Sequence, residues 1–110
     1  MEIKLTCGDY ITENEKNILK IISEEYKSKI ERLVKEIIDF EVRLKCYSKK
    51  GKIKRYEVEA KLIIPKHKLK ANSEEYDLKE AIKNTMNKIL NEIEHKTFAS
   101  DKKGTGKRKK

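Results

Sequence analysis

The chain has 110 residues, 43% of them charged, and a formal net charge of +9 at pH 7. This length allows one domain with one modest core, and the excess of positive charge favours a polyanionic partner. Because there is neither an apolar run of the roughly 20 residues that span a bilayer nor a signal-peptide pattern, we expect a cytoplasmic protein without a membrane partner.

The positive charge is concentrated in the middle and at the end of the chain. Residues 43–70 hold 11 Lys and Arg against 2 Asp and Glu, and residues 96–110 hold 7 against 1. Residues 1–42 and 71–95 each have three more acidic than basic residues. Regularly spaced Ile, Leu and Val up to residue 93 argue against disorder in the body of the chain.

The first predicted elements are a short strand and a long helix. Ile3 and Leu5 alternate with polar residues, as in a half-buried strand. Thr12 followed by Glu15 fits a capping box, and apolar residues recur behind it at steps of three and four. The spacing predicts an amphipathic helix over residues 13–36.

From Phe40 the apolar period changes to two, which predicts two further strands joined by a hairpin. The turn falls in residues 48–52, and Pro65 ends the second strand because it cannot extend a central ladder. We expect His67 to lie in the turn 66–68 that follows.

The last predicted elements are a short fourth strand and a second helix. Leu69 and Ala71 indicate the strand. Asp77 is the predicted N-cap, with Glu80 three residues on and an apolar stripe continuing to Ile93.

These elements predict an α+β fold with the order β-α-β-β-β-α. The sheet is expected to be mixed, four-stranded and ordered 1-2-3-4, with two helices packed on one face. The open face would then carry Arg43, Lys45, Arg55 and Lys61. We assign residues 1–96 to this domain, and the Gly- and Lys-rich residues 97–110 to a basic disordered tail.

Several stretches also resemble a known family. The most specific is residues 55–62, RYEVEAKL, followed by Leu69-Lys70-Ala71, Tyr76-Asp77-Leu78 and Ala81-Ile82. These stretches resemble the ribosome hibernation-promoting factor and ribosome-associated inhibitor family. In that family a strand of this type leads to a short Leu-x-Ala strand and then to an acidic helix start with an Ala-Ile-Asp step. The likeness covers roughly residues 1–96 as an architecture.

The RNA-facing positions of that family match in part. Lys29 and Arg32 match a Lys-x-x-Arg step in the first helix, and Lys88 matches a basic position in the second. The chain departs from the pattern at Lys83, where the family has aspartate, and at Asn91-Glu92, where it has an Arg-Gln pair.

The resemblance implies a short-type member without the second domain that dimerises ribosomes. Such a protein binds the small ribosomal subunit and its rRNA in the channel for messenger and transfer RNA, inhibits translation and protects idle ribosomes. We expect it to be monomeric off the ribosome, without a cofactor or a small-molecule substrate.

The candidate rRNA contacts are the basic residues of both helices, the hairpin and the tail: Lys29, Arg32, Lys49, Lys50, Lys52, Lys54, Arg55, Lys88, His95, Lys96, Lys107 and Arg108. Each has a simpler reading as a solvated helix face, a lysine-guarded turn, a solubilising tail or, for His95, a charge at a helix C-terminus. Tyr47 and Tyr56 are candidates for base stacking, although the alternation places Tyr56 on the inward face.

Other functions find less support in the sequence. Two distant histidines and the lack of a phosphate loop or nucleophile-base pair argue against an enzyme. Cys7 and Cys46 lack metal-ligand spacing, so we expect no metal site. Both fall on inward faces of neighbouring strands, within possible disulfide range. We expect reduced, buried thiols. A general double-stranded RNA-binding module and a basic protein-interaction module remain as alternatives.

Overall fold

The computed structural model describes residues 2–49 and 53–95, with the backbone alone at 48, 49 and 53. The elements in this part of the chain are β1 (Lys4–Cys7), α1 (Glu13–Leu33), β2 (Asp39–Lys49), β3 (Ile53–Ile64), β4 (His67–Glu75) and α2 (Leu78–Ile93). They form one sheet of order β1-β2-β3-β4, in which β1 is parallel to β2 and the other neighbours are antiparallel. The predicted α+β fold, element order and strand order are confirmed.

Both helices begin at the predicted caps. The Thr12 hydroxyl accepts from the Glu15 backbone N–H at 3.1 Å, and Glu15 Oε1 accepts from the Thr12 N–H at 2.9 Å. At the second helix the Asp77 carboxylate accepts from the Glu80 N–H at 3.0 Å. These side chains satisfy backbone donors that the first helical turn leaves without partners.

Helix α1 is shorter than predicted, because it ends at Leu33 and not at residue 36. Val34 is already extended, with φ −125°, and the Ile38 N–H donates to the Ile63 carbonyl at 2.8 Å. The chain needs this connection to pass from the helix layer to the sheet. Val34 and Ile37 still pack against the core, so apolar spacing continued past the end of the helix.

Strand β4 is longer than predicted, and the turn before it is tighter. His67 pairs with Ile64 and begins the strand, so its assignment to the turn was wrong. The turn consists of Pro65 and Lys66, and Lys66 has φ 74°. Proline followed by a residue of positive φ fits a type II turn, which keeps the two strands in register through Glu75.

The core lies between the two helices and one face of the sheet. Its fully buried large side chains come from both layers: Leu19, Ile30, Phe40, Val42, Leu44, Val58, Leu62, Leu69, Ile82, Met86, Ile89 and Ile93. The buried Thr85 hydroxyl lies 2.9 Å from the Ala81 carbonyl and 3.2 Å from that of Val58, which ties α2 to β3. Both helices therefore cover one face, as predicted.

The two cysteines differ in burial. Cys46 is buried, but Cys7 is only half-buried, because it lies on the short edge strand β1. Cys7 is the register partner of Leu44, two residues before Cys46 along β2. Both thiols are free, and burial raises the pKa of each. The helices in the described ranges are too short or too polar to traverse a lipid bilayer.

Candidate nucleic-acid interface

Three predicted contacts lie on the helix layer, two of them near a hydrogen bond that joins the two helices. Lys29 Nζ lies 4.6 Å from the centre of the Tyr26 ring on the same helix. The Tyr26 hydroxyl donates to Asn87 Oδ1 across to α2 at 3.2 Å, and Lys88 is the next residue. We call Lys29, Arg32 and Lys88 the helix-layer cluster.

The charges of this cluster have no carboxylate partner within the described ranges. Lys88 Nζ instead donates to the backbone carbonyl of Asn72 at 2.7 Å, and all three side chains belong to exposed residues. Arg32 lies in the last turn of α1, where a cation also favours the helix dipole. Among the described residues, these three cations therefore lie beyond ion-pairing distance of any carboxylate.

A polar groove lies beside Lys88, between α2 and β4. Its volume is about 410 Å³, and its lining includes three asparagines of α2, Asn84, Asn87 and Asn91. Asn84 Nδ2 donates to Glu75 Oε2 at 3.0 Å. Amide groups both donate and accept hydrogen bonds, which suits ribose hydroxyls and base edges. The sequence marked Asn91 only as a departure from the family pattern, and Asn84 and Asn87 were not among the predicted site residues, although a spacing of three and four residues places all three on one helix face.

The hairpin residues Lys54 and Arg55 point to opposite faces of the sheet. Lys54 Nζ lies 3.5 Å from Glu15 Oε2 on the helix side. Arg55 Nη2 lies 3.9 Å from Glu74 Oε1 on the open side. The structure therefore separates two residues that the sequence analysis grouped, and it pairs each with a glutamate. Lys50, Lys52 and the side chain of Lys49 lie outside the described residues.

Glu15 joins the hairpin to the start of α1. Its side chain is 13% exposed and accepts from the Tyr56 hydroxyl, besides the Thr12 N–H. Burial would raise the pKa of Glu15, but the hydrogen bonds from Tyr56 and Thr12 and the charge of Lys54 together bring it below its usual value. Burial and the bond to Glu15 raise the pKa of Tyr56. Tyr56 faces inward, as predicted.

The open face of the sheet carries charges of both signs. The predicted cations lie on this face together with five acidic residues of the same strands: Asp39, Glu41, Glu57, Glu59 and Glu74. Arg43 lies 3.9 Å from both Glu41 and Glu59, and Lys61 lies 3.7 Å from Glu41. The cross-strand register produces these pairs, so this face is electrostatically mixed.

The remaining predicted contacts lie at the end of α2 and beyond it. His95 is exposed just after the helix, at the opposite end of α2 from its Asp77 cap. Lys96, Lys107 and Arg108 fall outside the described residues, as does the predicted tail. Within the described ranges, no three His, Cys, Asp or Glu side chains converge in a way that could hold a metal ion.

Comparison with known proteins agrees with the resemblance noted from the sequence. A family model described as Sigma 54 modulation protein / S30EA ribosomal protein matches residues 11–97, whereas no curated protein matches the chain. A structure titled as a ribosomal subunit interface protein from Coxiella burnetii has 18% identity and a TM-score of 0.60, covering 86% of this chain and 96% of that one.

The N-terminal domain of Thermus thermophilus Protein Y has 22% identity and a TM-score of 0.61, covering 86% of this chain and 98% of that one. At such identities the two structures show a shared fold. The family model extends from the loop before α1 to the end of α2 and so includes all but the first strand of the fold. The chain belongs to the Sigma 54 modulation protein / S30EA ribosomal protein family.

Proposed function

We propose that this protein is a cytoplasmic ribosome hibernation factor. It binds the rRNA of the small subunit in the channel for messenger and transfer RNA, inhibits translation and protects idle ribosomes. Family membership supports the ribosome as its partner. A structural neighbour is described as a ribosomal subunit interface protein, which supports a site between the subunits.

The observation that carries the proposal is that the cations of the helix-layer cluster form no ion pair with a carboxylate of the described residues. Lys29 lies over the Tyr26 ring and Lys88 donates to the Asn72 carbonyl, so each of these two cations has a fixed contact before RNA arrives. A phosphate that meets these side chains displaces no intramolecular carboxylate. On the open face, in contrast, phosphates would compete with Glu41, Glu59 and Glu74 for the nearby cations.

Electrostatic binding of this kind does not read a base sequence. Lys and Arg that neutralise phosphates release condensed counterions, so affinity falls steeply with salt. Selection of one site on the ribosome must then come from shape, through the fit of a rigid two-layer body into a folded RNA cleft. The adjacent asparagine groove adds donors and acceptors for sugar and base edges.

The test is co-sedimentation with purified small and large subunits over a series of salt concentrations. We expect wild-type protein to pellet with the small subunit and to be displaced by messenger and initiator transfer RNA. The triple variant Lys29→Gln, Arg32→Gln and Lys88→Gln should bind more weakly. Its slope of log affinity against log salt should be about 2 to 3 units shallower, since each lost phosphate contact removes about 0.7 to 0.9.

The matched control removes the same charge elsewhere. Lys20, Lys68 and Lys70 are exposed, and Lys20 lies about 180° around α1 from Lys29 at 100° per residue. Replacing these three by Gln should change the salt slope by less than one unit. Equal slopes for the two triple variants would overturn the proposed interface, and wild-type binding that ignores salt and RNA competitors would overturn the proposed function.

A binding measurement with double-stranded RNA distinguishes this function from that of a general double-stranded RNA-binding module. The start of α2 has an acidic N-cap, Asp77, and an acidic residue in its first turn, Glu80, which does not favour phosphate there. We expect an A-form duplex to bind much more weakly than the small subunit. Equal affinity for both would identify a general duplex-binding protein instead.

In a reconstituted translation system, wild-type protein should reduce peptide synthesis, and the variant of the helix-layer cluster should restore it. Tight binding to the small subunit without any inhibition would place the protein outside the channel.

A further inference from the structure

The open face of the sheet carries two flat side chains at its hairpin end, next to each other on β2 and β3. Tyr47 and Arg55 are register partners across the antiparallel pair. Tyr76 follows directly after β4, whose last residue, Glu75, is the register partner of Tyr56. Tyr47 is 45% exposed and Tyr76 67% exposed. The described part of this end thus offers aromatic and guanidinium surfaces to solvent.

Both flat groups on the strands are held by acids of the neighbouring strand. The Tyr47 hydroxyl donates to Glu57 Oε1 at 3.0 Å, and Glu57 is the register partner of Lys45, two residues before Tyr47. The bond therefore draws the ring diagonally along the sheet, and the side chain stays partly exposed. The Arg55 guanidinium is drawn in turn toward Glu74 on β4, at 3.9 Å. Each group is restrained before a ligand binds.

The charge pattern favours a base over a phosphate at the centre of this surface. Glu57 and Glu74 lie against the two flat groups and would repel a phosphate placed directly on them. At the edge, Lys45 is exposed and has no carboxylate within ion-pairing distance among the described residues. A nucleotide can satisfy both conditions, because its base is a neutral planar group and its phosphate lies several ångströms away.

We propose that Tyr47 and Arg55 form a stacking platform for an unpaired nucleotide of RNA, with Lys45 neutralising the adjacent phosphate and Tyr76 flanking the base. Bases stack on tyrosine rings and on guanidinium planes whatever their sequence. This inference rests on the proposed function, which identifies the RNA as rRNA of the small subunit. It adds a second contact, on the sheet face opposite the helix-layer cluster, and it requires a single-stranded segment there.

The test uses the isolated protein and fluorescein-labelled hexauridine and hexaadenine at low salt, with binding followed by fluorescence anisotropy. Tyr47→Leu keeps apolar bulk but removes the π-face, and it should weaken binding about 5- to 100-fold, the range expected for loss of one stacked base. Tyr47→Phe keeps the ring and should bind within about threefold of wild type. Arg55→Gln should weaken binding in the same direction as Tyr47→Leu.

The matched control is Tyr10→Leu. Tyr10 is 79% exposed and lies in the loop between β1 and α1, outside the row formed by Tyr47, Arg55 and Tyr76. Its replacement should change affinity by less than twofold. Circular dichroism should show all these variants folded, since the substituted side chains are exposed.

A direct reading comes from proton NMR, because a base stacked on Tyr47 shifts that ring's resonances upfield while those of Tyr10 stay in place. The platform is refuted if wild-type protein ignores both hexanucleotides, if Tyr47→Leu loses no more affinity than Tyr10→Leu, or if the Tyr47 ring does not shift. Those results leave co-sedimentation with the small subunit untouched. Failure of wild-type protein to bind the small subunit would instead refute the proposed function.

Discussion

Replacing Glu15 by Gln should destabilise the fold by about 1 to 2 kcal/mol at neutral pH. The carboxylate accepts from the Thr12 N–H and from the Tyr56 hydroxyl, and Lys54 Nζ lies 3.5 Å away. Hydrogen bonds to a charged acceptor contribute roughly 1.5 to 3 kcal/mol each, against about 1 for neutral partners. An amide oxygen retains the acceptor but loses the charge, so we expect a difference of this order and not a complete loss.

The effect should depend on pH in a defined direction. The folded-state pKa of Glu15 lies below its ordinary value of 4.5, so the carboxylate contributes stability that is fully present above that ordinary value. This contribution is lost as the pH falls through the lower folded-state pKa. The difference between wild type and Glu15→Gln should therefore be constant from pH 7 to about pH 5 and shrink below pH 4.

Urea unfolding followed by circular dichroism at pH 7, 5, 4 and 3 measures this difference. Glu13→Gln is the matched control, because Glu13 lies in the same first turn but is 88% exposed and forms an exposed pair with Lys16. Its stability should stay within about 0.5 kcal/mol of wild type. A double-mutant cycle of Glu15→Gln with Tyr56→Phe should give a coupling of about 1 kcal/mol. A stabilising role for the Glu15 charge is excluded if Glu15→Gln behaves like Glu13→Gln, or if the loss of stability is as large at pH 3 as at pH 7.

Three further substitutions test single features of the fold by the same unfolding measurement. Ser23→Ala should stabilise by up to about 1 kcal/mol, because the Ser23 hydroxyl is buried in α1 without a partner in the described structure. Lys66→Gly should stabilise by about 0.5 to 1 kcal/mol, since φ 74° strains any L-residue and relief outweighs the entropy of glycine; a loss of stability would show an unstrained turn. Asp77→Ala should cost about 1 kcal/mol through the lost helix cap, and no cost would mean that solvent serves the Glu80 N–H equally well.

The fold was predictable because local signals and the global pattern agree. Thr12 with Glu15 and Asp77 with Glu80 marked both helix starts, and the change of apolar period near Phe40 marked the strands. Short connections then left one simple strand order. Helix ends and strand lengths carry weaker signals, because a core contact such as Ile37 has the same spacing in a helix and in an extended connection.

The site was harder to predict because charge pairing depends on register across the sheet. The sequence shows Lys54 and Arg55 as neighbours, yet in a strand consecutive side chains face opposite sides. Each therefore meets a glutamate from a distant part of the chain, Glu15 or Glu74. The link from Tyr26 to Asn87 joins residues 61 positions apart, and no local pattern indicates it.

The net charge of a stretch of sequence therefore does not show how many of its cations are available to bind RNA. Residues 43–70 hold most of the excess positive charge, but Arg43, Lys54, Arg55 and Lys61 are all paired with carboxylates. The cations of the helix-layer cluster, which form no ion pair within the part of the chain that the structure describes, come from segments that are acidic on balance. Exposed ion pairs contribute only about 0 to 1 kcal/mol, so RNA can displace them at small cost. At the helix-layer cluster, RNA has no carboxylate of the described residues to displace. On this basis the helix layer should meet phosphate first, and the sheet face should gain affinity only where a base, and not a phosphate, lies against its glutamates.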